Sequence, residues 1–449
     1  MAVLTRLRGF LGALLLITGV ALGIRLGYTV GVDPQVPELS DASAYHLLAN
    51  DLADGKGYVR PFDLAAFGLT HHTAEYPPLF PAALSVVSVV GGTSVGSQRI
   101  LTCLIGAATV FLIGLLGRRV RGDAVGLVAA GLAAVYPMLF VADGVLMAET
   151  LFALLVTAAL LLAYRAVDQP TPWRFVALGA VLGLAALTRT EGLLLAIVLV
   201  VPLAIRLRHV ATRRRAVLGA VALGTTVIVI APWTIRNAIE LDAFVPISNN
   251  VGSALDGANC GPVYSGSDIG LWRSTFATST AGQSADECFE GFNVRAPGFN
   301  EATAAATHRD DGLRYAAHHT GRLPVVAAAR LLRTFGAFHV GQELNVESFE
   351  GRPHGWLVAG FVAYWLLVPF AIAGIVLLLL ARALLWPLVA PFLSVAIGTV
   401  LTYGNQRFRI AAEPALMVLA AVACVALVAR ARHTRSHQEQ PQPTPELVG

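Results

Sequence analysis

Ten apolar runs, at residues 9–27, 99–117, 124–142, 145–164, 174–189, 191–207, 215–235, 356–381, 383–402 and 410–430, decide what this chain can be. Each approaches the roughly 20 residues that a helix needs to cross about 30 Å of hydrocarbon. Inside lipid a lone segment satisfies all its backbone N–H and C=O groups only as a helix. The expected fold is therefore all-α and polytopic, with about 10–11 transmembrane helices. A hydrophobic share of 56% against 13% charged residues excludes an ordinary soluble globule. The run Leu79–Val90 is too short to cross and is expected to lie at the interface or re-enter. At the N-terminus, Arg6 and Arg8 precede the run Phe10–Ile24, but Arg25 stands where a signal-peptide cleavage site would need small residues, so an uncleaved anchor is expected.

The basic residues orient the bundle. With the N-terminus inside, Arg118/Arg119/Arg121, Arg165/Arg174, Arg206/Arg208/Arg213/Arg214/Arg215, Arg382 and Arg430/Arg432/Arg435 all fall on the cytoplasmic side. Of the 28 acids, only Asp123, Asp168, Glu439 and Glu446 join them. The expected organisation is a transmembrane module over 1–236 with a functional outer loop at 28–98, an extracytoplasmic domain at 237–353, C-terminal transmembrane helices over 354–432 and a disordered cytoplasmic tail at 433–449. The extracytoplasmic domain is expected to be small, α/β or irregular, with a helical stretch from Arg309 to Phe338. The setting would be a bacterial plasma membrane with the site facing outward. A net charge of +4 gives no nucleic-acid signature. Cys103 and Cys424 sit in apolar runs, whereas Cys260 and Cys288 share the polar region and would pair in an oxidising compartment.

The stretch SDASAYHLLANDLADGKGYVRPFDLAAFGLTHHTAEYPPLFP, residues 40–81, concentrates Asp41, Asp51, Asp54, Asp63, Glu75, His71 and His72 beside the membrane. Asp41 by itself reads as a helix N-cap before Ala42–Leu52. Later spans deliver more charge to the same face: Asp143 and Glu149, then Arg189 and Glu191 in LTRTEGLLL, Arg236 and Asn237 in PWTIRN, and Arg407, Arg409 and Glu413 in YGNQRFRIAAEP. Ionisable groups near hydrocarbon cost about 2.5–3.5 kcal/mol on insertion scales and usually face a polar cavity in mutual pairs. Arginines suit a lipid phosphate through charge-assisted, often bidentate bonds, and a carboxylate suits removal of a hydroxyl proton. Together they point to glycosyl transfer.

The same motifs, DASAYHLLANDLADGKGY, EYPPLFP, SQRILTCLIGAATVFLIGLLGRRV and the late RFRIAAEP, resemble those of GT-C membrane glycosyltransferases, in the branch of protein O-mannosyltransferases and lipid A aminoarabinose transferases. The resemblance covers roughly 1–240 and 356–430. It implies a first outer loop with two interfacial helices, a polyprenyl-phosphate-sugar donor, a hexosyl or pentosyl transfer, and Asp41 as the catalytic acid's counterpart. It places Glu75 where relatives contact metal or substrate, and Tyr45, Tyr76, Glu149, Arg189, Glu191, Arg236, Asn237, Arg407 and Arg409 are further candidate substrate contacts. Relatives often carry Asp-Glu where this chain has Asp41-Ala42, and a lysine where it has Tyr76, so the phosphate contact falls to Arg189, Arg236 or Arg407. No cofactor is assigned; a divalent metal is a candidate through His71 and His72, which solvated loop histidines explain equally well. The acceptor is a protein, lipid or glycan. Two other classes fit the composition: a transporter or flippase of a lipid-linked solute, and a non-catalytic envelope assembly protein.

Overall fold

In the computed structural model, which describes residues 2–32, 36–275 and 288–438, the apolar runs become helices named here in chain order. These are α1 (Ala2–Gly31), α2 (Asp41–Ala53), α3 (Pro61–Phe67), α4 (Leu79–Val89), α5 (Val95–Arg121), α6 (Asp123–Val135), α7 (Pro137–Gly144), α8 (Glu149–Asp168), α9 (Pro172–Thr188) and α10 (Glu191–Arg206). There follow α11 (Thr212–Glu240), α12 (Val251–Ala258), α13 (Gly261–Tyr264), α14 (Glu301–His318), α15 (Leu323–Thr334), α16 (Val340–Ser348), α17 (His354–Leu380), α18 (Trp386–Leu401) and α19 (Glu413–Gln438). Among the described residues there is no strand, only the isolated bridges Val59–His72 and Ser274–Phe289.

Six of these helices, α1, α5, α8, α11, α17 and α19, are long and apolar enough to cross a bilayer. The expected span at 124–142 is instead a broken one: α6 and α7 meet at 52°, because Pro137 opens α7 and has no N–H to continue the ladder of α6. The helices α9, α10 and α18 have 17, 16 and 16 residues, at or below the shortest usual crossing. Three boundaries also move: the expected runs at 145–164, 383–402 and 410–430 begin their helices at Glu149, Trp386 and Glu413. The 11-residue α4 turns Phe80, Leu84 and Ser88 inward and leaves Val86 and Val89 exposed, and it packs on α2 and α5.

The bundle core is made where α5 packs on α1, α6 and α8, α9 on α8, α10 and α11, and α19 on α17, α6 and α5. Within it Arg25 of α1 donates to Asp143 of α7 at 2.6 Å, both buried. The pair sits directly against Gly106 of α5, where any Cβ would run into the Asp143 carboxylate and Arg25.

The described residues of the segments 36–94 and 241–353 lie together at one end of the bundle, called here the loop face. The second of them is built from α12–α16 among its described residues, so it is helical rather than α/β. Its core joins Cys260, Val263, Tyr264, Leu271, Cys288 and Val326, with Cys260 and Cys288 in a disulfide at a Cα separation of 5.2 Å. The expected helical stretch at 309–338 resolves into α14 and α15 around a 3-10 turn at Thr320–Arg322. Residues 433–438 continue α19 and are not a disordered tail; residues 439–449 lie outside the described residues.

Candidate active site

Five helices on the loop face begin with a carboxylate, and three of these acids converge: Asp41 opens α2, Glu149 opens α8 and Glu191 opens α10, while Glu301 of α14 and Glu413 of α19 pair elsewhere. An acid is favourable there because the first turn exposes unpaired N–H groups at the positive end of the helix dipole. Asp41 does not cap its own helix. That task falls to Ser40, whose hydroxyl accepts from Ser43 N while the Ser43 hydroxyl accepts from Ser40 N, a reciprocal capping box. The Asp41 carboxylate is thereby left to reach across the molecule.

It accepts from Arg407 Nη1 at 2.9 Å through Oδ2 and from the Tyr76 hydroxyl at 3.2 Å through Oδ1. Arg407 stands in the 3-10 turn Gln406–Ala411, started by Asn405, whose side chain accepts from Arg407 N at 2.8 Å. Glu149 is the hub behind this pair. Its Oε1 accepts from Arg189 Nη1 at 2.7 Å and lies 3.9 Å from Arg407 Nε and 4.0 Å from Arg352 Nη2. Arg189 ends α9 in an extended conformation and also donates to Glu191 at 2.8 Å. Two arginines thus bind together the acids of three helix starts.

These groups form the polar end of one open cavity of about 230 Å³. Asp41, Tyr45, Tyr76, Arg189, Glu191 and Arg407 line that end; Phe152, Val395, Gly398, Phe408 and Ala411 line an apolar flank between α8, α18 and the 3-10 turn; and Ser248 and Asn250 form a wall on the loop side. Burial, and then the charge of Asp41, push both the Tyr45 and Tyr76 hydroxyls well above the ordinary tyrosine range, so both stay protonated donors. Burial works to strip the proton from Arg407, but Asp41, Tyr403, Glu350 and Glu149 outweigh it and hold the guanidinium firmly charged.

Four sequence candidates lie elsewhere. Glu75 alternates with Tyr76 along a non-helical segment and turns away, accepting from Arg60 Nη1 at 2.9 Å. Arg60 also binds Asp63 and Glu301, whose carboxylate takes Thr73, Ala74 N and Asn249 as well, so this cluster ties the first loop to α14. Arg236 donates to the carbonyls of Thr73 and Tyr58 under the same loop, and Asn237 donates to the carbonyls of Val245 and Ile247. Arg409 is buried against Glu413 at 3.2 Å, with its guanidinium over the Tyr364 ring. His71 and His72 part company, to Asp63 and Glu240 respectively, and among the described residues no group of three or more His, Cys, Asp or Glu is placed to hold a metal ion.

Tyr403, Ser248 and Asn250 in the cavity wall and Glu347, Glu350 and Arg352 beside it are not among the residues expected from the sequence. The last three were within reach of the rule that singled out Arg189 and Arg407. VESFEGRP puts acids and an arginine immediately before a span, on the same face.

Comparison with known proteins bears on the fold. Residues 75–235 match the family described as dolichyl-phosphate-mannose-protein mannosyltransferase. The oligosaccharyltransferase of Archaeoglobus fulgidus in its apo form shares the fold, with 13% identity and a TM-score of 0.56 over 97% of this chain and 53% of its own. The archaeal oligosaccharyltransferase AglB from Archaeoglobus fulgidus, in complex with an inhibitory peptide and a dolichol-phosphate, gives 13% identity and a TM-score of 0.51 over 98% of this chain and 52% of its own. ArnT from Cupriavidus metallidurans bound to undecaprenyl phosphate is a more distant likeness, with 15% identity and a TM-score of 0.44 over 97% of this chain and 81% of its own. The chain spans about half the length of the oligosaccharyltransferases it matches. No curated protein matches it. The resemblance to GT-C membrane glycosyltransferases is thus borne out, and the all-α polytopic architecture is theirs.

Proposed function

We propose that the chain is a membrane glycosyltransferase that moves a sugar from a polyprenyl-phosphate donor to an acceptor hydroxyl at the loop face, with Asp41 as general base. The observation that carries this reading is the position of Asp41: a carboxylate held by Arg407 and Tyr76 at the polar end of a cavity whose flank is apolar. A donor of this class needs both environments, one for its phosphate and sugar and one for its hydrocarbon.

In the proposed step the acceptor O–H gives its proton to Asp41 as its oxygen bonds to the anomeric carbon. The bond from that carbon to the phosphate oxygen breaks, and its electron pair stays on the phosphate. Attack opposite the leaving group inverts the anomeric centre. Polyprenyl phosphate leaves as a stable anion, so the second carboxylate of ordinary glycoside hydrolysis has less to do. Arg189 and Arg407 are the two cavity-lining guanidiniums, and fixed charges of this kind stabilise the negative charge gathering on the leaving phosphate. The acids of the cavity stand at helix starts on one face, which favours transfer over transport.

The loop face is proposed to be the extracytoplasmic one. The arginine clusters at the other end and the Cys260–Cys288 disulfide both support that orientation. The reading is tested by supplying membranes containing the full chain with labelled polyprenyl-phosphate sugars of several kinds. Label should move from at least one donor into a lipid, protein or glycan fraction; transfer from none of them, in membranes retaining acceptors, would refute it.

A further inference from the structure

The turn entering α17 brings a second acid to the guanidinium that holds Asp41. Glu350 lies between α16 and α17, where Gly351 adopts φ +82 and Arg352 clasps Glu347 of α16. The positive φ favours glycine, and the clasp ties the turn to the preceding helix, so Glu350 is held by backbone rather than by a loose loop. Its Oε1 lies 3.8 Å from Arg407 Nη1, the same nitrogen that donates to Asp41 at 2.9 Å. Its other oxygen, Oε2, is buried without a hydrogen-bond partner.

We propose that Glu350 is a positioning residue for the transfer: it shares Arg407 Nη1 with Asp41, and its protonation state decides how strongly that guanidinium is held on the base. The proposal rests on the reading of Asp41 as base. While Glu350 is neutral, Arg407 stays on Asp41 and lowers its basicity. Once ionised, Glu350 draws the guanidinium toward itself and adds a negative charge beside Asp41, so Asp41 takes the acceptor's proton more readily. The charged and titratable groups around it are Asp41 on α2, Tyr76 on the first loop, Arg407 on the 3-10 turn, Glu149 on α8, Glu347 on α16, and Arg352. Burial first, and then Asp41, push the Glu350 carboxyl up to about 7, which sets the change near neutral pH.

The test is the pH profile of transfer from a labelled polyprenyl-phosphate sugar that the wild type uses, compared with Glu350→Gln and Glu350→Asp. The wild-type kcat should rise about tenfold through a pH of about 7, and Glu350→Gln should lie flat at the low-pH level with KM within about twofold. Glu350→Asp should keep the inflection. An unchanged inflection in Glu350→Gln overturns the proposal. A second measurement separates this outcome from failure of the transfer reading: the thermal midpoint of the purified chain against pH. Glu350→Gln should flatten its decline with rising pH, and should flatten it less when Asp41→Asn is already present. Equal flattening in both backgrounds means that the two acids do not communicate and also overturns the proposal, whether or not any sugar is transferred.

Discussion

Arg407 and Asp41 stand 366 residues apart in the chain and 2.9 Å apart in the fold, one in the turn before the last helix and the other on the first residue of α2. That contact joins the two ends of the membrane domain at one point, and the placement of the other groups in the cavity follows from the helices it brings together.

Asp41 depends on its neighbour. Replacing Ser40 by Ala removes the cap of α2 and should cost about 1 kcal/mol of stability. Fraying of that first turn should also loosen Asp41 from Tyr76 and lower transfer severalfold. Thermal unfolding and the transfer assay on the same preparation check both. A Ser40→Asp variant, which can still cap, should recover most of each.

The buried Arg25–Asp143 pair should behave as a unit. Arg25→Leu alone leaves a buried carboxylate without its partner and should destabilise the chain by about 3–5 kcal/mol. The double variant Arg25→Leu/Asp143→Leu should regain most of that loss. Thermal midpoints in detergent decide it, and additive losses would show the pair to be uncoupled.

Burial, together with the charges of Glu301, Asp41 and Asp63 and against the pull of Arg60, raises Glu75 from the ordinary 4.5 to about 7. Between those values the folded chain holds a proton that the unfolded chain has released. Its contribution to stability is therefore greatest at low pH and is lost as pH rises from about 4.5 through about 7. Glu75→Gln should flatten the fall of thermal midpoint across this window and leave the midpoint higher above it.

The Cys260–Cys288 disulfide closes a loop of sequence separation 28. In the chain-entropy account a closure of that size contributes about 3–4 kcal/mol. Reduction, or Cys260→Ser/Cys288→Ser, should make residues 241–353 cleavable by protease at concentrations that spare the oxidised protein, while the membrane helices stay intact.

The spans were legible because lipid leaves a long apolar run no alternative to helix, and α4 was set apart by its length. The break at Pro137 follows from a residue visible in the sequence, but the 52° bend depends on α7 packing wholly within the bundle. Among the charges, topology could say only that Arg189, Arg236, Arg407 and Arg409 share one face. It could not separate Arg407, which reaches Asp41, from Arg409 two residues on, which a turn of the backbone sends to Glu413. Glu75 and Tyr76 show the same limit: adjacent residues face opposite sides, and the sequence does not say which faces the cavity. Glu350 stands just before a span on that same face, so its place is legible in the sequence, but its partner Arg407 on another element is not.

The most direct test of the account is the single-turnover rate of sugar transfer by Asp41→Asn, measured with a donor that the wild type uses. The substitution keeps the size of the side chain and removes its ability to take a proton. The account predicts a fall of roughly 10²- to 10⁴-fold, with donor binding within a few-fold of wild type. Transfer at the wild-type rate would contradict it.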